Sequence, residues 1–156
     1  SRIAWPMEFV GRDGRELQQE WDGDPRAYLG ITVPGFPNLF LMYGPNTNIV
    51  VNGSIVFFSE CEMRYILGCL ELLVGSGHAG LECRQDVHDA FNETIDAGNA
   101  EMAWGAPNVR SWYKNAKGRV TQNWPFTMLE YWQRTRRPDP ADFVFVDPER
   151  PERRSA

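Results

Sequence analysis

Three short stretches hold residues whose types and spacing could do chemistry. The first is Gly44-Pro45-Asn46, which follows the apolar run Leu-Phe-Leu-Met-Tyr (39–43) and leads through a polar loop to Gly53-Ser54-Ile55. An apolar run of strand length, a polar loop and a helix start make a strand–loop–helix unit. In an open α/β sheet, ligands settle at the carboxyl ends of strands and at helix N-termini, where unpaired N–H groups favour anions. Gly44 would let the backbone approach such a ligand closely. An ordinary strand–helix connection has the same spacing, so both readings stand on the residues alone.

The second stretch is Trp-Gly-Ala-Pro-Asn-Val-Arg-Ser-Trp-Tyr-Lys-Asn, 104–115. It sets Trp112, Tyr113 and Asn115 in a polar, glycine-containing loop. The aromatic pair could stack on a planar ligand or fold back onto the chain's own core. The third stretch, 75–80, matches the glycine-rich dinucleotide pattern G-x-G-x-x-G. That pattern works when a strand precedes it and a helix follows, because the helix N-terminus holds the pyrophosphate. Here a helix precedes and a short strand follows, so the match reads as a helix-ending linker.

Other groups support less. Asp86, His88, Asp89 and Glu93 share one helix, but no H-x-x-x-H or H-E-x-x-H spacing accompanies them, and a solvated face explains them. No metal site is expected. No G-x-S-x-G elbow and no Cys/His pairing supports nucleophilic hydrolysis. The three cysteines, Cys61, Cys69 and Cys83, lack C-x-x-C spacing. They suit a reducing, cytoplasmic setting rather than a disulfide framework.

Composition bounds the rest. In 156 residues, 42% are hydrophobic and 13% aromatic, enough for one domain with a substantial core. The net charge of -5 argues against nucleic acid as the main partner. The apolar stretch 54–74 is interrupted by Glu60, Glu62, Arg64 and Glu71, so it reads as a buried helix of a water-soluble fold and not as a membrane span.

The elements that must position these residues follow from periodicity and punctuation. Strands are expected within 3–15, over 27–33, over 39–43 with both faces buried, at 81–84 and at 143–146. A helical turn is expected at 17–21. Longer helices are expected from Ser54 as N-cap to about 74 with Gly75 as the stop, over 85–99, and over 126–134 with Pro125 at its start. Residues 104–114 read as mixed loop and strand, 116–119 as a turn and 147–156 as a disordered tail. Strands alternating with helices make α/β the natural fold class.

Residues 11–48 (GRDGRELQQEWDGDPRAYLGITVPGFPNLFLMYGPNTN), with SWYKNAKGRVTQNWP at 111–125 and LEYWQRTRRPDPADFVF at 129–145, resemble the C-terminal part of the flavin-dependent Baeyer–Villiger monooxygenases. The resemblance runs from about residue 3 to 145. It implies an FAD- and NADPH-dependent enzyme in which NADPH reduces the flavin and one oxygen atom of O2 enters a ketone to give an ester or lactone. The cofactors supply that chemistry and the protein orients them. Residues 1–146 would be the segment that completes the FAD domain of a protein with two dinucleotide-binding domains, and 39–43 would be its return strand. Gly44, Pro45, Asn46, Gly53, Ser54 and Ile55 would lie near the isoalloxazine of the flavin. Trp112 matches a tryptophan of a mobile loop that reaches the nicotinamide cofactor, with Tyr113 and Asn115 beside it.

The family's FAD and NADPH fingerprints, its F-x-G-x-x-x-H-x-x-x-W-P signature and its catalytic arginine do not occur in these residues. The expectation is therefore a fragment that is inactive alone, contains no catalytic residue and exposes apolar faces through which copies pair or swap. A flavoprotein hydroxylase or NADPH oxidase on the same scaffold, or a non-catalytic protein-interaction module, are the alternatives.

Overall fold

The computed structural model describes residues 3, 4, 6–50 and 53–147. Its elements are α1 (Leu17–Trp21), α2 (Ile55–Ser76), β1 (Gly80–Cys83), α3 (Gln85–Ala100), α4 (Met128–Arg134) and β2 (Phe143–Val146), with one-turn 3-10 segments at Arg12–Gly14 and Pro140–Asp142. Strands β1 and β2 pair antiparallel, with Leu81 opposite Phe145 and Cys83 opposite Phe143.

Helix α2 begins where capping chemistry dictates. Ser54 has extended backbone, and its Oγ accepts from the Phe57 N–H, which satisfies one of the first-turn donors. The helix runs one residue past the expected glycine and ends at Gly77, whose φ of 72° is left-handed. Its inner face places Phe58, Cys61, Tyr65 and Cys69 in the core beside Leu81, Cys83, Phe91, Ile95, Trp124 and Tyr131. Phe58 stacks on Tyr131 at 4.2 Å, and Trp124 meets Tyr131 edge-on at 5.0 Å. The outer face was also expected to be buried, but Val56, Met63, Leu67, Leu70 and Val74 are exposed there. No helix of the described residues is long and apolar enough to cross a membrane.

Helix and strand both occur, as an α/β class requires, yet the strand content is smaller than expected. Residues 27–33 form no strand. They fold into a tight reversal with Leu29 at φ 55° and Gly30 at φ 74°, closed by a bridge between Tyr28 and Thr32. Two consecutive left-handed residues make a hairpin-type turn. Leu29 tolerates that backbone because its side chain is buried in the core and its carbonyl accepts from the Tyr131 hydroxyl.

Residues 39–43 form no strand either. The Leu41 N–H reaches the Ile31 carbonyl, but Met42 and Tyr43 are exposed and Tyr43 turns left-handed. Within 3–15, the described residues contribute only an isolated bridge from Val10 to Glu16. The helix expected at 126–134 starts later, capped by the Thr127 hydroxyl instead of Pro125. Of the tail expected at 147–156, residues 148–156 lie outside the described residues.

A second apolar cluster of Leu17, Trp21, Ala27, Val33, Phe36 and Leu41 packs the N-terminal part together. The Gly75–Gly80 stretch is the end of α2 and the entry to β1, in keeping with its reading as a linker.

Candidate functional site

The Gly44–Asn46 turn is seated by close backbone packing. Gly44 is buried, and a Cβ there would run into the Gly30 carbonyl, just as a Cβ at Gly30 would run into Thr47. The two glycines thus let the 29–30 reversal and the 44–47 turn lie flat on each other. Gly44 is required by packing inside the chain.

Asn46 follows with φ 59° and is buried. Its Nδ2 donates to the carbonyls of Val120 (2.8 Å) and Asn123 (3.1 Å), and its Oδ1 accepts from the Arg119 Nη2. Its amide side chain is therefore fully occupied within the fold. A cavity of about 310 Å³ opens beside this turn, lined by Met42, Tyr43, Gly44, Asn48 and Gln122 together with the N-terminal residues.

Behind the turn, Glu62 of α2 is 0% exposed. Its carboxyl accepts from the Tyr43 N–H at 3.0 Å and the Tyr131 hydroxyl at 3.4 Å. Burial without a cationic partner pushes this carboxyl up from 4.5 to about 7, and the two hydrogen bonds offset only part of the rise.

The N-terminus of α2 forms a second wall. Its first turn contains no acidic residue, so the positive end of the helix dipole is uncompensated there. Gly53 packs on the Ile49 side chain, the Ser54 N–H lies 3.3 Å from the Met128 sulfur, and Ile55 is exposed. Beside this wall, Ile49, Val50, Trp104, Trp124, Phe126 and Met128 line an apolar cavity of about 780 Å³. No hydrogen bond among the described residues joins 53–55 to 44–46. Between the two, the Asn48 N–H donates to the Gln122 carbonyl.

The third wall is the 105–118 loop. Trp112 is 83% exposed and meets Tyr113 edge-on at 5.6 Å. An indole so open to water has no core of its own, which removes the reading in which it folds back. Asn115 does not face outward. Its Nδ2 donates to the Gly23 carbonyl and to Asp24 Oδ1, and its Oδ1 accepts from the N–H groups of Lys117 and Arg119. It closes the turn expected at 116–119.

Asn46 and Asn115 are thus brought into one network through Arg119. Gly53, Ser54 and Ile55 stand apart from it, and Trp112 and Tyr113 extend from its edge. Sequence reasoning passed over Arg119, Asp24, Asp96 and Glu62. The signal for Arg119 was its place in the tryptophan-flanked 111–125 stretch, directly after a glycine with φ 80°. Glu62 differs from the solvated acids of α2 in sharing the helical face of Phe58, Cys61 and Tyr65. The cysteines are free and buried, and burial lifts Cys69 and Cys83 to about 12, which leaves them inert thiols. Among the described residues no group of three or more His, Cys, Asp or Glu could hold a metal ion.

No protein-family model matches the chain. An FAD-binding monooxygenase of Aspergillus niger is 33% identical over 148 residues, covering 92% of this chain and 24% of its own. A Baeyer–Villiger monooxygenase of Streptomyces coelicolor is 34% identical over 140 residues, covering 89% of this chain and 27% of its own. Among solved structures, an oxidised steroid monooxygenase bound to NADP superposes with a TM-score of 0.76 at 27% identity, over 90% of this chain and 27% of that one. The chain spans about a quarter of the length of the relatives it matches.

Proposed function

Because the chain belongs to the Baeyer–Villiger-type flavin-dependent monooxygenases, as a portion of one, we propose that it is the C-terminal segment completing the FAD-binding unit of such an enzyme. The whole enzyme would use NADPH and O2 to insert one oxygen atom into a small-molecule ketone. The observation that carries this reading is the acid-free, Ser54-capped N-terminus of α2, which follows the closely packed 44–47 turn in the chain. The isoalloxazine of a flavin takes up negative charge when it is reduced, and a helix N-terminus free of competing carboxylates suits a group of that charge.

The residues present fit the cofactors in a divided way. Backbone of Gly44, Pro45 and Asn46 and the first turn of α2, with Gly53, Ser54 and Ile55, would line the FAD side. The exposed Trp112, with Tyr113 next to it, would offer a planar face to the nicotinamide side. The side chains of Asn46 and Asn115 act on the scaffold, so any cofactor contact from them is through backbone. Bound FAD supplies the redox chemistry with O2. The chain's residues orient it, and the apolar lining from Trp104 to Met128 excludes water from that side.

The segment alone does not catalyse in this reading, because the residues present supply one side of the cofactor site and the cofactor fingerprints do not occur among them. The test is direct. Purified chain is supplied with FAD, NADPH and a small cyclic ketone under air. No ketone-dependent NADPH consumption and no lactone is expected. Lactone formation by the chain alone would overturn the assignment of the missing catalytic parts to other residues.

The exposed apolar stripe of α2 supports one further element of this reading, the self-association of isolated copies. Val56, Met63, Leu67, Leu70 and Val74 recur at helical spacing along one face.

A further inference from the structure

We infer that Arg119 is the positioning residue that locks the 44–46 and 112–115 walls into one geometry. The inference rests on the functional reading of those walls given above.

The Arg119 side chain is 9% exposed, and every N–H of its guanidinium has an acceptor. Nε donates to Asp96 Oδ1 at 2.7 Å. Nη1 donates to the Pro25 carbonyl at 2.9 Å and to Asp24 Oδ1 at 3.3 Å. Nη2 donates to Asn46 Oδ1 at 3.0 Å and to Asn92 Oδ1 at 3.3 Å. Arg26 completes a ring of alternating charge. Its Nε reaches Asp24 Oδ2 at 3.2 Å and its Nη1 reaches Asp96 Oδ2 at 2.9 Å. Two guanidinium groups and two carboxylates leave no net charge in the ring. Compensation of this kind is what makes buried charges tolerable.

The ring's outer bonds run to both walls. On one side Arg119 Nη2 holds Asn46 Oδ1. On the other, Asp24 Oδ1 accepts from Asn115 Nδ2 at 2.8 Å, and Asn115 Oδ1 accepts from the Arg119 N–H. The backbone repeats the arrangement. The Thr121 N–H donates to the Tyr113 carbonyl, and the Asn46 N–H donates to the Thr121 carbonyl. Residues 119–121 therefore lie between the two walls, and the guanidinium fork spans them. A lysine at 119 would place one compact ammonium where a planar fork now meets acceptors from several segments.

The experiment is amide hydrogen exchange on the purified chain, comparing wild type with Arg119→Lys, Arg119→Met and Asn115→Ala. Peptides covering 44–48, 111–118 and the core of α2 are followed. Arg119→Lys and Arg119→Met are expected to speed exchange at least tenfold in both 44–48 and 111–118 while α2 keeps its protection. Asn115→Ala is expected to speed exchange in 111–118 alone. If Arg119→Met also exposes α2, Arg119→Lys decides, since it keeps a positive charge between Asp24 and Asp96. Wild-type exchange in either wall of Arg119→Lys would overturn the inference.

The same variants are titrated with FAD and with NADP+. Affinities for both are expected to fall together at Arg119 and for NADP+ alone at Asn115. A wild-type chain that binds neither cofactor would contradict the functional reading, while the exchange data would still decide the coupling of the walls.

Discussion

Glu62 is the residue whose behaviour departs most from its type. It lies in the core behind the Gly44 turn, and burial raises its carboxyl to about 7. The unfolded chain ionises this group near the usual carboxylate value and the folded chain near 7. Its favourable contribution is thus fully present below about pH 4.5 and is lost as pH rises through 7. The shift from 4.5 to about 7 corresponds to an upper limit of roughly 3–4 kcal/mol, at roughly 1.4 kcal/mol per unit. Chemical denaturation between pH 5 and 8 should show wild-type stability falling relative to Glu62→Gln, which has nothing to ionise there. Parallel profiles for the two proteins would contradict the assignment. The sequence showed Glu62 only as one of several acids interrupting an apolar helix. What set it apart was its position on the α2 face that also presents Phe58, Cys61 and Tyr65, and helical phase alone does not say which face a globular core will take.

Elements with strong local signals were legible. α2 and α3 arise where periodicity places them, because hydrogen bonding within a helix fixes most of the outcome, and β1 and β2 arise at their short apolar runs although they bond only to each other. The stretches 27–33 and 39–43 were misread for a physical reason. Apolar runs of that length fit a buried strand, but also a reversal whose side chains fill a core. Gly30 and Gly44 signalled the second option, since their shared close approach needs both glycines, yet contact between turns fourteen residues apart is invisible in either turn alone. The walls of the candidate site were legible as segments. Their connection through Arg119, Asp24 and Asp96 was not, because partners from α3 and three loops meet only in the folded chain. The start of α2 is where element and function converge. Ile55→Glu puts a carboxylate at its positive end, worth about 0.3–1 kcal/mol of helix stability. Thermal unfolding of Ile55→Glu should therefore occur at or slightly above the wild-type temperature, and a marked drop would show that the first turn is not open as described.

At the scale of the whole molecule, the outer face of α2 is the feature most at odds with a self-sufficient domain. Its apolar residues continue to Val74, which is 82% exposed, and Val56, Met63 and Leu67 share a groove of about 660 Å³ with Arg64, Arg136 and Arg137. Contiguous apolar surface of this kind draws a partner. Light scattering should find the isolated chain dimeric or larger, and Leu67→Glu, in the middle of the stripe, should return it toward monomer. A monodisperse wild-type monomer would contradict this. No single residue of the sequence announced which face of α2 would be left open. The central claim is that the turn at 44–46 and the start of α2 form one side of a flavin site. The most direct measurement is a titration of the chain with FAD, followed by the visible absorption of the flavin, in wild type and in Ile55→Glu. The expected result is a saturable spectral shift in wild type, weakened at least several-fold in Ile55→Glu despite its intact fold. Absence of a shift in wild type, or equal binding by the two proteins, would contradict the account.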